Sequence, residues 1–275
     1  MNMNKRQTIS VCISTYNEEG NIEKCLKSVI DWVDEIIIVD GTSTDQTVFK
    51  AKQFGKKVRV LITNNPPNFL INRQKALDKA NNDWILQLDA DEVVTLTLKS
   101  EIFNIINSKE KSNKVAFWIP RANCFLGSYL KKGGVYPDYC LRLCRNKLAK
   151  LPLQNIHDQV QIDLKKAQTL YAIKNPVIGF LKNDLLHYPY PSFQVYLRKW
   201  IQYSEHEADL LIKKKTKTSF TLGLDYFIIK PFCWFIKTYF RHKGFMDGFP
   251  GLVFSLFSSL RFWAIYIKLY EKNKS

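Results

Sequence analysis

The stretch Trp84–Ile85–Leu86–Gln87–Leu88–Asp89–Ala90–Asp91–Glu92 runs from apolar residues straight into three carboxylates. A short continuous apolar run is the pattern of a strand buried on both faces of a parallel sheet. Asp89 and Asp91 then fall where the strand leaves the sheet, and the carboxyl edge is where open α/β sheets bind ligands. Two carboxylates so placed can divide two tasks, one meeting a sugar hydroxyl and the other a metal ion. The same residues also end strands and cap helices in many proteins, so the motif needs support from the rest of the chain.

That support lies in the other strand ends. Thr8–Ser14, Glu35–Val39, Val58–Ile62 and Trp84–Leu88 have strand character. Amphipathic or capped helical segments alternate with them. After Asn21, a candidate N-cap, Ile22, Cys25, Leu26, Val29, Ile30 and Val33 keep helical spacing; a second helix ends near Phe54 before Gly55, and a third covers Phe69–Ala80. Strand and helix in alternation imply a wound, mostly parallel sheet. Thr15, Glu18, Asp40, Asp89 and Asp91 then gather on one edge. Carboxylates suit ribose hydroxyls and base N–H groups but repel a diphosphate unless a cation stands between them. A nucleotide with its base near Asp40 and its phosphates bridged to Asp91 by a divalent ion fits. No GxGxxG or GK[ST] motif occurs, which disfavours dinucleotide and P-loop chemistry.

Three blocks together resemble the signatures of inverting GT-A nucleotide-sugar glycosyltransferases, the large family two. They are Ile13–Ser14–Thr15–Tyr16–Asn17–Glu18–Glu19, Ile38–Val39–Asp40–Gly41–Thr42–Ser43–Thr44–Asp45–Gln46–Thr47 and the DXD motif Leu88–Asp89–Ala90–Asp91–Glu92. The resemblance implies a GT-A, Rossmann-like α/β fold. It places Thr15, Glu18, Asp40 and Arg73 around the nucleotide, Asp89 at the ribose or sugar, and Asp91 on Mg²⁺ or Mn²⁺. Gln74 stands where the family pattern leads one to expect Asn. Farther on, Asn155–Ile156–His157–Asp158 and Leu186–His187–Tyr188–Pro189–Tyr190 are similar to bacterial lipopolysaccharide-core β-1,4-glucosyltransferases, with Asp158 where Glu is usual. That likeness implies Asp158 as the base. His187 would complete the metal shell or touch a phosphate, unless it is structural. The reaction so implied is metal-dependent transfer of a hexose, glucose from UDP-glucose, to a membrane-linked glycan such as a lipopolysaccharide core.

The nucleotide-sugar half is expected in residues 1–95 and the acceptor half in 96–194, with a helix over Leu98–Ile106 and strands over Val115–Pro120 and Tyr139–Leu143. Gly127–Gly134 has the composition of a flexible basic loop. Arg142 and Arg145 either reach phosphate oxygens or are solvated, and Glu92 either caps the next helix or orients the sugar.

The chain has 275 residues and a formal charge of +16. Val195–Ser275 holds 14 Lys/Arg against 6 Asp/Glu, a surplus of eight in 81 residues. This segment opens with a helix over Val195–Ile212 and is then dense in aromatics interrupted by lysine and arginine, the composition of a helical, membrane-associating extension. Gly248–Leu260 is too short to span a bilayer, with Arg261 at its end. The aromatics either meet a membrane interface or pack internally. Six cysteines without a CxxC pair, and a short polar N-terminus, suggest reduced thiols and a cytoplasmic location at the inner face of the cell membrane. A basic nucleic-acid-binding protein, or a non-catalytic membrane adaptor on the same scaffold, are the alternatives. The first predicts basic residues on the ligand edge, where this chain puts acids, so no nucleic-acid partner is expected.

Overall fold

A computed structural model describes residues 6–108, 112–153 and 159–274. The four strands expected at the N-terminal end are present: β1 (Ile9–Thr15), β2 (Glu35–Asp40), β3 (Val58–Ile62) and β4 (Trp84–Asp89). They pair in parallel in the order β3-β2-β1-β4. The apolar runs of β1, β2 and β4 are explained by burial on both faces, whereas β3, at the end of the sheet, is half-buried with Ile62 exposed. Val11, Ile13, Ile36, Ile38, Leu86 and Leu88 enter one core cluster, whereas Cys12, Ile37, Val39 and Ile85 enter another. Side chains alternate across a strand, so a strand covered on both sides has no polar face. Each buried aliphatic side chain contributes about 1.5–3 kcal/mol.

Helices α1 (Ile22–Val29), α2 (Thr47–Lys52) and α3 (Leu70–Asp78) connect these strands. Ile22, Cys25, Leu26 and Val29 are the buried stripe of α1. The helix is shorter than its apolar spacing suggested, and Ile30–Val33 continue as turns onto the same core. Asn21 occupies the cap position without capping; its amide donates to Glu18 Oε2 at 2.8 Å. Gly55 follows α2 at φ +83°, a left-handed conformation that glycine takes without cost.

Beyond β4 come β5 (Glu92–Val94), α4 (Leu96–Ile106), β6 (Lys114–Phe125), β7 (Ser128–Tyr129), β8 (Asp138–Arg145), β9 (Ala149–Lys150), β10 (Gln161–Ile162), α5 (Leu164–Tyr171), β11 (Val177–Phe180) and β12 (Leu185–His187). The sheet continues from β4 through β8, β6, β12 and β5, and β4–β8, β8–β6 and β12–β5 are antiparallel. A parallel wound half thus joins a mixed half, in which β11 adds in parallel to β6. Thr95, not Glu92, caps α4, accepting from the Leu98 N–H at 3.1 Å.

The chain forms two compact units. One comprises residues 1–121 and Asp138–His187; the other comprises Ala122–Pro137 and Tyr188–Ser275. The second contains α6 (Phe193–Lys213), α7 (Phe220–Leu224), α8 (Lys230–Phe235) and α9 (Gly248–Lys274). π-helical turns at Asp225–Ile229 and Ile236–Arg241 flank α8. Two expectations need correction here. The Gly127–Gly134 segment is not a free loop: Asp247 accepts from the Lys131 and Lys132 N–H groups at 3.2 and 2.8 Å, and Gly133 N–H donates to the His242 carbonyl at 2.9 Å. Arg261 does not end the apolar helix. The helical run Gly244–Lys274 continues through it and is long and apolar enough to cross a membrane by length and composition alone, and Arg261 lies over the Trp234 and Phe262 rings at 4.6 and 5.0 Å.

Candidate active site

Strand register sets the level of the site. Ser14 lies opposite Asp89 and Thr15 opposite Asp40, so three parallel strands finish together at one edge. Asp40 is wholly buried there and accepts three hydrogen bonds: from Thr15 Oγ1 at 2.8 Å, Ser43 N–H at 2.8 Å and Ser43 Oγ at 2.6 Å. The loop after β2 is fastened to the loop after β1. Asn17 N–H donates to Ser43 Oγ at 2.8 Å, Thr44 N–H to Asn17 Oδ1 at 2.8 Å, and Glu18 N–H to Thr47 Oγ1 at 2.7 Å. Asn17 and Thr42 have φ of 55° and 65°. Asparagine visits that region readily, whereas a β-branched residue there stores strain. Thr42 is held by its hydroxyl, which donates to the Thr63 carbonyl at 2.7 Å. Thr15, Glu18 and Asp40 are therefore brought together on the expected edge, with Asp40 as the group that orders both loops.

Asp89 is the centre of a second cluster. Its Oδ1 accepts from Arg73 and from Gln87 Nε2, its Oδ2 from Arg142 Nη2 at 2.5 Å, and its N–H donates to Glu92 Oε2 at 2.9 Å. Glu92, wholly buried, also accepts from Arg142 Nη2 at 2.6 Å and Arg121 Nη1 at 3.3 Å. Arg121 in turn grips Asp138 Oδ2 at 2.7 Å. Burial would raise the Asp89 carboxyl pKa, but the Arg142 and Arg73 guanidiniums overcome it and hold the group well below the usual carboxylate range. Burial would likewise lower Arg142, and Asp89 and Glu92 reverse that, so its charge is fixed. Arg142 is not solvated; it binds two carboxylates and Gln87. Arg145 instead lies over the Trp84 ring at 4.7 Å and the Tyr171 ring at 5.1 Å.

Asp91 goes elsewhere. The chain turns after Asp89, and β12 pairs with β5 so that His187 lies opposite Glu92. This places His187 Nε2 3.3 Å from Asp91 Oδ2. Ninety-six residues apart in sequence, the two expected metal ligands meet. Among the described residues no group of three or more His, Cys, Asp or Glu side chains is placed to hold a metal. A carboxylate and an imidazole nevertheless suit a divalent ion whose other ligands come from a diphosphate, so the residues fit.

Arg73 projects from α3 with its guanidinium over the Phe69 ring at 5.2 Å, and its buried Nε has no hydrogen-bond partner among the described residues. Gln74 accepts from the Leu151 N–H at 2.8 Å, and Asn68 Nδ2 donates to the Leu153 carbonyl at 3.0 Å. Both hold the segment that leads toward Asp158, although Asp158 itself, with His157, lies outside the described residues. The residues that spacing did not reveal as site residues are Arg121, Asp138 and Gln87, and the tie of Glu92 to Arg142. Their only sequence signal is charged or polar residues in otherwise apolar strands.

A family model described as "Glycosyl transferase family 2" matches residues 10–204. An uncharacterized glycosyltransferase of Rickettsia typhi is 31% identical over 260 residues, covering 92% of this chain and 84% of that one. The SPbeta prophage-derived glycosyltransferase SunS of Bacillus subtilis is 36% identical over 133 residues, 48% of this chain and 30% of that protein. Among solved structures, the mannosyltransferase PcManGT from Pyrobaculum calidifontis, in complex with GDP-Man and Mn²⁺, matches with a TM-score of 0.51. It is 14% identical and covers 98% of this chain and 88% of that chain, a likeness of fold.

Proposed function

The chain belongs to glycosyl transferase family 2, and from that premise we propose that this glycosyltransferase carries out an inverting, divalent-metal-dependent transfer of a hexose from a nucleotide-sugar donor. The donor we propose is UDP-glucose and the acceptor a membrane-linked glycan such as a lipopolysaccharide core, reached from the cytoplasmic side. The observation that carries the reading is the meeting of Asp91 with His187 on the edge that also holds Thr15, Asp40 and Asp89. A nucleotide-sugar donor follows the resemblance of the three signature blocks, and glucose follows the likeness of residues 155–158 and 186–190 to lipopolysaccharide-core glucosyltransferases.

In this mechanism Thr15, Glu18 and Asp40 shape the nucleotide pocket, Arg73 faces the nucleotide, and Asp89 meets the ribose or sugar. Asp91 and His187 would hold Mg²⁺ or Mn²⁺, which when bound offsets the charge of the departing diphosphate. Asp158 takes the proton of the acceptor hydroxyl as that oxygen attacks the anomeric carbon opposite the diphosphate. One displacement, with one base, inverts the configuration. Arg142 and Arg73 hold the Asp89 pKa well below the usual carboxylate range, so its carboxylate accepts hydrogen bonds but is too weak a base to take the acceptor's proton.

Donor turnover with Mn²⁺ tests the reading, using UDP-glucose, UDP-N-acetylglucosamine and GDP-mannose in parallel. UDP-glucose should be turned over fastest. Asp91→Ala should lower turnover about 100-fold or more with its fold intact, because among the described residues Asp91 pairs with His187 alone. Transfer that survives Asp91→Ala refutes the metal role. Asp158→Ala should lower turnover while UDP still binds.

A further inference from the structure

The C-terminal unit exposes large apolar side chains along two faces. Ile228, Phe232, Ile236 and Phe240 are exposed at a spacing of four, and Phe232 retains 66% of its accessible surface. In a regular α-helix, with about 3.6 residues per turn, a spacing of four drifts steadily around the axis. The wider π-helical turns at Asp225–Ile229 and Ile236–Arg241 drift the other way and keep the row straight. On α9, Phe249, Leu252, Leu256 and Trp263 form a second exposed row, and Phe249 keeps 70% of its surface. Only 22% of the most apolar window of this helix is buried, unlike a core helix.

The charge around these rows is mainly of one sign, and Asp225, where the first π-helical turn begins, is paired with Lys230 at 2.8 Å. Between Tyr226 and Tyr270 the chain carries six Lys/Arg and one acid, Asp247, which is committed to the Lys131 and Lys132 N–H groups. Several cations lie against rings: Lys230 Nζ is 3.5 Å from the Tyr226 centroid and Lys237 Nζ 4.9 Å from that of Trp234. Cations anchored beside exposed apolar rows are what an anionic lipid interface selects. A second copy of the same face would bring equal charges together.

We propose that these two rows enter the outer part of an anionic bilayer, with α9 lying in its plane. A spanning orientation is excluded by the other side of α9. Trp200 Nε1 of α6 donates to the Phe257 carbonyl at 2.8 Å, and Lys272 pairs with Asp209 at 2.5 Å. Helix α6, with Arg198, Glu205, Glu207 and Asp209, thus runs along α9 and would be dragged into hydrocarbon. This inference rests on the membrane-acceptor reading but is tested separately from catalysis.

The test is co-sedimentation of the full chain with vesicles of phosphatidylglycerol and phosphatidylethanolamine, against vesicles of phosphatidylcholine. An environment-sensitive dye on Cys233, an exposed thiol beside Phe232, gives a second readout. Binding should prefer the anionic vesicles and shift the dye to the blue. Phe232→Ser with Ile236→Ser, or Phe249→Ser with Leu252→Ser, should each weaken binding about tenfold or more, with unchanged circular dichroism and unchanged donor turnover in vesicle-free buffer. Binding within about twofold of wild type in both double variants overturns the proposal. So does a stoichiometric dimer that the same substitutions dissociate, or resistance of the bound protein to carbonate extraction. Loss of donor turnover in the parent chain would instead count against the catalytic reading alone.

Discussion

At Arg142 one guanidinium joins three strands, taking Asp89 and Gln87 from β4, Glu92 from β5, and its own place in β8. Its planar fork serves several acceptors at once, which an ammonium cannot. Replacing it with Met leaves Asp89 with Arg73 and Glu92 with Arg121 as their remaining counter-charges, so the loss should fall toward the low side of the about 3–5 kcal/mol that removing one partner of a buried pair costs. Urea unfolding should show that loss, and Arg142→Lys should recover only a small part of it. The same cluster sets an acid limit. The folded Asp89 pKa is depressed, so its stabilisation is fully present above the ordinary carboxylate pKa of about 3.9 and drains away as pH falls below it. Stability plotted against pH between about 5 and 2 should therefore fall less steeply for Asp89→Asn than for wild type. An equal slope in the two proteins would mean that another carboxylate governs the acid limb. The cluster was hidden in the sequence for a physical reason: Arg142 lies fifty residues from Glu92, and an ion pair at that separation has no period.

Elements were legible where burial gives a pattern. Strands β1, β2 and β4 are apolar because both faces are covered, and α1 shows its buried stripe at helical spacing. Strands β5 and β12, three residues each, are too short to carry alternation, yet their pairing brings His187 to Asp91. Strand β6 runs past Pro120 and Arg121 because Arg121 is held by Glu92 and Asp138, so a polar residue that looked like an end lies in the interior. The glycine-rich 127–134 segment looked mobile because the residue that pins it, Asp247, is over a hundred positions away. Close backbone approach is equally silent in sequence. Gly251, in the first turn of α9, packs so near the preceding 3₁₀ turn that a Cβ would collide with the Gly244 carbonyl oxygen and lie 2.9 Å from Asp247 Cβ. Gly251→Ala should destabilise the C-terminal unit by about 1–3 kcal/mol or more, as overpacking does, although alanine is the better helix former. A gain in thermal stability for this variant would show that the junction can open without cost.

Charge and site are distributed differently over the molecule. The last 81 residues carry half of the +16 charge, whereas every described residue proposed for the donor belongs to the unit built from residues 1–121 and Asp138–His187. A ligand stabilises what it binds by mass action, so nucleotide should act on that unit and leave the other nearly unmoved. Scanning calorimetry of the full chain should resolve two transitions. UDP with Mn²⁺ at about 100 times its Kd adds about 2.7 kcal/mol, and for a unit of this size about 2–4 °C accompanies each kcal/mol, so one transition should rise by roughly 5–10 °C. Gly251→Ala should lower the other transition and leave the nucleotide-dependent shift intact. In Asp91→Ala the Mn²⁺-dependent part of the shift should vanish while both transitions remain, which separates loss of the metal from loss of the fold. A single transition that moves as one with nucleotide would mean that β6, continuous through Arg121 into Ala122, couples the two units into one cooperative structure.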